Sequence, residues 1–102
     1  MELGLFQLEN LIVSRTPFCF LDLREEPVLV PEIANVIGAA TPVRPDRVDE
    51  RLRELGFLKE KPVILICEDG VVSRQVALSL EAQDFVNAYV VKGGVEGLLS
   101  EL

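Results

Sequence analysis

Apolar positions in this chain recur at two spacings, and the alternation between them predicts most of the elements. Leu5, Leu8 and Ile12 fall at helical spacing and predict a helix over 5–13. Leu3 to Phe6 suits either a strand or the start of that helix. Phe18 to Leu23 (FCFLDL) is a short apolar run behind a proline, the pattern of a buried strand. Pro27 to Pro45 holds four of the six prolines and reads as a long surface connection. Within it, Val36 to Ala39 is expected to form a second short strand.

Pro45 suits the first position of a helix, where a missing N–H costs nothing. Asp46 and Asp49 then sit in the first turn, where carboxylates favour the helix dipole. Val48, Leu52 and Leu55 make one apolar face, and Gly56 is a natural stop. Pro62 to Cys67 (PVILIC) is the clearest strand: its apolar residues are continuous rather than alternating, so both faces should be covered. Glu68-Asp69-Gly70 is a tight turn, after which Ser73 is expected to cap a helix running to about Phe85, with Val76, Ala77 and Leu80 inward. Asn87 to Val91 is a further strand, ended by Gly93-Gly94. Val95, Leu98, Leu99 and Leu102 make a last apolar helix face.

Helices alternating with buried strands predict an α/β fold: three layers, with a mainly parallel sheet of four to five strands and helices on both faces. In such sheets ligands bind beyond the carboxyl ends of the strands. Cys67 closes the most buried strand, so it belongs to the edge where chemistry would occur.

Composition narrows the picture. With 102 residues, the chain is expected to be one domain over 1–102. It is 49% hydrophobic and 26% charged, which excludes a disordered or fibrous class. Lys plus Arg number 10 against 17 Asp plus Glu, a net charge of −7. That balance argues against nucleic acid and against an anionic membrane surface as partners. No histidine is present, which removes any imidazole base or ligand, and Cys19 and Cys67 cannot make a four-thiolate zinc site. No metal is therefore expected, and no cofactor is implied. The longest apolar run, Val63 to Cys67, is far too short to span a bilayer, and Met1-Glu2-Leu3-Gly4 carries no basic leader. The expectation is a cytoplasmic protein with reduced thiols.

A thiol at the end of a buried strand admits two readings. Cysteine is among the most buried residue types, so packing alone accounts for many of them. Cys19, inside FCFLDL, is read that way. Cys67 differs by the segment on its carboxyl side. The loop Cys67-Glu68-Asp69-Gly70-Val71-Val72 leads straight into the helix near Ser73. If the loop curls around the sulfur, its amides converge on a thiolate, and a helix N-terminus lowers a thiol pKa from about 8.5. Gly70 would supply the backbone conformation that a side chain forbids. The same cradle suits the outer sulfur of a persulfide.

Four segments resemble the rhodanese-like (sulfurtransferase homology) family. Phe20-Leu21-Asp22-Leu23-Arg24-Glu25 is similar to its Asp-x-Arg-Glu signature. Val36-Ile37-Gly38-Ala39 resembles its Pro-Gly-Ala stretch, without the usual Gly-His-Ile-Pro lead-in. Pro62 to Ser73 resembles its strand and active-site loop, and Tyr89 to Gly97 its closing Val-x-x-Gly-Gly segment. The resemblance implies a five-stranded sheet in which the LDL strand lies beside ILIC. Asp22 and Arg24 would then share an edge with Cys67, as a buried pair tying the strand end to its neighbouring loops. It implies a catalytic Cys67, with Glu68, Asp69, Gly70, Val71, Val72 and Ser73 as the anion-binding loop, and Asp22, Arg24 and Arg74 as possible support.

Two departures bear on activity. Active members of the family often carry Arg or a small polar residue before the loop serine, where this chain has Val72. The loop also places Glu68 and Asp69 beside the thiol, with no adjacent lysine. If they rim the mouth, thiosulfate should be a poor substrate. Arg74 could fold back over the loop, although a solvated helix-surface arginine is the simpler reading.

The leading expectation is an enzyme, a single-domain sulfurtransferase. Cys67 would take a sulfane sulfur from a small donor such as thiosulfate, hold it as a persulfide, and pass it to cyanide, a thiol or a protein acceptor. The alternative is a catalytically weak or inactive protein-binding or regulatory module of the same family, its acidic rim selecting a basic partner. A redox-sensing thiol is a third reading. A cysteine phosphatase is disfavoured because its arginine should lie one residue closer to the cysteine than Arg74 does, and a thioredoxin-like role because no Cys-x-x-Cys exists.

Overall fold

A computed structural model describes residues 1–15 and 17–102. Five strands form one sheet: β1 (Glu2–Leu3), β2 (Cys19–Asp22), β3 (Thr41–Pro42), β4 (Val63–Ile66) and β5 (Ala88–Val91). Their order is β1-β5-β4-β2-β3, and every pairing is parallel. The helices are α1 (Leu5–Val13), α2 (Ala34–Ile37), α3 (Val48–Glu54), α4 (Val71–Ala82) and α5 (Gly94–Ser100). Short 3-10 turns at Pro31–Ile33 and Pro45–Arg47 lead into α2 and α3. None of the described helices is long and apolar enough to cross a membrane.

The central strand β4 shows why the chain makes three layers. Its unbroken apolar sequence alternates in direction: Val63, Leu65 and Cys67 pack with α3 and α4 through Val48, Leu52, Ala77 and Leu80. Ile64 and Ile66 pack on the opposite face with Leu8, Val36, Ile37, Val95 and Leu98 from α1, α2 and α5. All four β4 residues are fully buried. Burying such a side chain stabilises by roughly 1.5–3 kcal/mol each, so β4 anchors both cores. The expected LDL–ILIC neighbourhood is present: β2 and β4 pair from Cys19↔Val63 to Asp22↔Ile66.

Four expectations need correction. Val36 to Ala39 is not a strand. Its first two residues end α2, Gly38 donates to the Ala34 carbonyl at 2.9 Å, and the extended piece comes later at Thr41–Pro42. Helical geometry turns both Val36 and Ile37 into the core, which outweighs their β propensity. Ser73 does not cap α4. Gly70 does, at φ +95°, and Ser73 lies buried inside the first turn. Leu55 is exposed because α3 stops at Glu54 and turns away through Gly56. Leu102 is exposed past the end of α5. At the N-terminus, Glu2–Leu3 is strand and Leu5 onward is helix, so both alternatives for that segment apply in turn.

Two features hold the carboxyl edge of the sheet. At the exit of β2, Arg24 donates from Nη2 to Asp22 Oδ2 at 2.9 Å and from Nε to Oδ1 at 3.1 Å, while its backbone N–H donates to the same Oδ1. Both side chains are buried. At the exit of β4, the start of α5 closes on the loop: Val95 N–H donates to the Cys67 carbonyl at 2.9 Å and Glu96 N–H to the Glu68 carbonyl at 3.0 Å. Gly94, at φ +62°, makes this approach possible, because a Cβ there would lie 2.7 Å from the Glu68 carbonyl carbon and would strike the Cys67 carbonyl oxygen.

Denaturation of variants tests both contacts. Gly94→Ala should lose more than about 3 kcal/mol in urea denaturation, since backbone cannot yield. Gly56→Ala, at φ +61° with nothing near its Cβ, should lose only about 1 kcal/mol. Arg24→Met should cost about 3–5 kcal/mol by leaving the Asp22 carboxylate buried without its cation. A loss under about 1 kcal/mol would mean that the pair does not hold the edge.

Candidate active site

The loops leaving β2, β3 and β4 converge at the carboxyl edge of the sheet and enclose a cleft of about 1040 Å3. Cys67 lines it, directly after β4. The next three residues turn the chain back into α4, whose first N–H groups have no carbonyl behind them. The loop itself supplies acceptors for the Val71 and Ser73 N–H groups. Gly70 N–H donates to Cys67 Sγ at 3.1 Å and Ser73 N–H donates to the same sulfur at 3.4 Å. Val71 N–H turns instead to Asp69 Oδ1 at 3.0 Å. The expected cradle of amides from Glu68 to Ser73 is thus narrower: two amides, from Gly70 and Ser73, converge on the sulfur.

The Ser73 hydroxyl lies 3.3 Å from Cys67 Sγ and donates to the Gly70 carbonyl at 3.3 Å. A neutral thiol could donate to that hydroxyl. A thiolate has no proton to give, so the hydroxyl must then turn its own proton to the sulfur. An anionic sulfur here would therefore be met by three donors: two N–H groups and one O–H.

Cys67 also belongs to the apolar core beneath the loop, packed among Leu65, Ala77 and their neighbours. The residue is only 3% exposed, so a reacting partner must reach the sulfur from the cleft side. Val72 lines that side, half-buried on the core.

The remaining candidates separate clearly. Asp22 pairs with Ile66, the residue before Cys67, so Asp22 and Arg24 share the carboxyl edge of the sheet with Cys67, and Arg24 lines the cleft. Hydrogen bonds to Asp22 push the Arg24 pKa up, burial works against this, and the charges of Asp22 and Glu68 add to the rise. Glu68 and Asp69 are exposed and both line the mouth. Arg74 is not folded over the loop: it is exposed, and its Nη2 lies 3.5 Å from Glu2 Oε2 on β1. The surface reading of Arg74 is the one that fits. Cys19 sits away from the cleft, half-buried against the core. Burial pushes its thiol pKa up, and the Arg51 charge offsets this in part. Among the described residues no cluster of three or more His, Cys, Asp or Glu could hold a metal ion.

Two groups of site residues escape sequence reasoning. Gly94, Val95 and Glu96 fix the back of the loop; the Gly93-Gly94 pair was the signal, legible as a break but not as a contact. Glu25, Glu26, Arg44 and Asp46 line the cleft because they follow β2 and β3. The rule that sites gather at carboxyl strand ends would have found them once the sheet order was known.

Comparison with known proteins agrees with this fold. A solved rhodanese-like domain protein from Staphylococcus aureus superposes with a TM-score of 0.71 at 26% identity, over 95% of this chain and 89% of that one. A rhodanese homologue from Thermus thermophilus superposes with a TM-score of 0.64 at 25% identity, over 96% of this chain and all of that one, 100%. The thiosulfate sulfurtransferase GlpE of Actinobacillus pleuropneumoniae is 53% identical over 38 residues, which take in 37% of this chain and only 35% of that protein. The family model for the rhodanese-like domain matches residues 7–101, from within α1 to the end of α5, and the chain belongs to that family.

Proposed function

We propose that this domain is a sulfurtransferase that carries sulfane sulfur on Cys67. The observation that carries the reading is the convergence of the Gly70 and Ser73 amides on Cys67 Sγ at the wall of a cleft.

The Cys67 thiolate attacks the outer sulfur of a donor such as thiosulfate. A new S–S bond forms, the old one breaks, and its electron pair leaves with sulfite. The terminal sulfur of the resulting persulfide carries the charge that the thiolate brought, so no external oxidant or reductant is needed. Attack on that sulfur by a thiol or cyanide returns Cys67 to the thiolate. Preorganised donors stabilise charge on the sulfur before and after transfer. The chemistry needs no cofactor.

A second reading, a partner-binding module with little turnover, draws on Val72 and on the carboxylates at the mouth. It keeps the same cleft and gives up the transfer.

Incubation with thiosulfate followed by intact-protein mass spectrometry should show one added sulfur atom, mapped to Cys67 and absent in Cys67→Ser. A folded protein that gains no sulfur from thiosulfate or from a persulfide donor leaves only the binding module. Ser73→Ala keeps both N–H donors and removes the hydroxyl, and loading should slow about tenfold, as expected for one hydrogen bond to a charged group. Val72→Arg adds a cation at the cleft wall and should raise the rate of loading from thiosulfate. An unchanged rate would show that charge at that position is not what limits it.

A further inference from the structure

The charges around the cleft specify more than the reaction. Four carboxylates at its mouth, Glu25, Glu26, Glu68 and Asp69, are exposed and have no ion pair among the described residues. Of the two arginines that line the cleft, Arg24 is held in a buried pair with Asp22 at 2.9 Å, and Arg44 lies 3.1 Å from Asp46 in an exposed one. A substrate approaching Cys67 therefore meets net negative charge over an opening of about 1040 Å3, far larger than a small inorganic anion needs.

From this we infer that the preferred sulfur donor is a basic polypeptide segment bearing a cysteine persulfide. The inference rests on the sulfurtransferase reading above and names its substrate class. Lysine or arginine flanking the persulfide would sit against the four carboxylates, while its terminal sulfur reaches Cys67. The Cys67 thiolate then bonds to that terminal sulfur, the donor's S–S bond breaks, and the electron pair leaves on the donor cysteine as a thiolate that solvent protonates. Thiosulfate, a dianion, has to cross the same field with nothing to offset it. Like-charged clefts change association rates by roughly tenfold to a thousandfold, and salt screens the effect.

The test measures transfer from two synthetic peptides of equal length, each with one cysteine persulfide, flanked in one by lysines and in the other by glutamates. Sulfur on Cys67 is read by mass spectrometry, with thiosulfate as a third donor. The lysine peptide should load Cys67 about 10- to 100-fold faster than the glutamate peptide at low ionic strength, and the ratio should shrink as salt is raised. Replacement of three rim acids together, Glu25→Gln, Glu26→Gln and Glu68→Gln, should bring the two rates within about threefold of each other. Equal rates in the unmodified protein, or a preference that survives the triple replacement or high salt, would overturn the inference. So would loading from thiosulfate but from neither peptide, which leaves the sulfurtransferase reading standing. No loading of Cys67 from any of the three donors would instead remove that reading, and this one with it.

Discussion

The site depends on a backbone contact at the end of β4. Gly93-Gly94 brings the first turn of α5 against the peptide groups of Cys67, Glu68 and Asp69 so closely that a side chain at Gly94 has no room. Two N–H groups of α5 then hold the Cys67 and Glu68 carbonyls on one side of the loop. With those carbonyls turned toward α5, the chain reverses through Gly70 at positive φ and enters α4 with the Gly70 and Ser73 N–H groups facing the sulfur. The donor cradle and the α5 contact are two sides of one loop conformation.

That conformation combines packing and polarity in a single residue. The body of Cys67 is part of the α3–α4 core, which fixes its backbone, while its sulfur accepts hydrogen bonds from the Gly70 and Ser73 N–H groups. Ser73 obeys the same logic. Buried in the first turn of α4, it has little freedom, so its hydroxyl is confined to the sulfur and the Gly70 carbonyl as partners. Rigidity of this kind suits a group that must hold charge without rearrangement.

The surroundings are less typical of a site for small anions. Asp22 and Arg24 neutralise one another within the edge, and Arg44 pairs with Asp46 at the surface. Arg74, the cation nearest the loop in sequence, is drawn off toward Glu2. The loop amides attract an anionic sulfur at close range, whereas the carboxylates at the mouth act at longer range and govern which molecule arrives.

The fold was legible in the chain because burial imprints itself on sequence directly. Val63 to Ile66 has no polar position, the pattern of a short strand covered on both faces; Leu5, Leu8 and Ile12 share a face on a helix. Cys67 and its loop were legible for a related reason, since a glycine between a strand and a helix marks a turn that no other residue makes cheaply. What the chain could not disclose by itself were facts about proximity across the fold. Val36 and Ile37 become helix rather than strand because a helical turn places both of them in one core. Gly94 meets Cys67, Arg24 pairs inward while Arg74 pairs outward, and Glu25 and Glu26 join Glu68 and Asp69 at one opening, because parallel strands bring the ends of distant segments to a single edge. Local pattern determined which elements form and which faces they bury; the order of strands in the sheet decided which charges and donors surround the sulfur, because electrostatic and hydrogen-bonding partners are selected by distance in space and not along the chain.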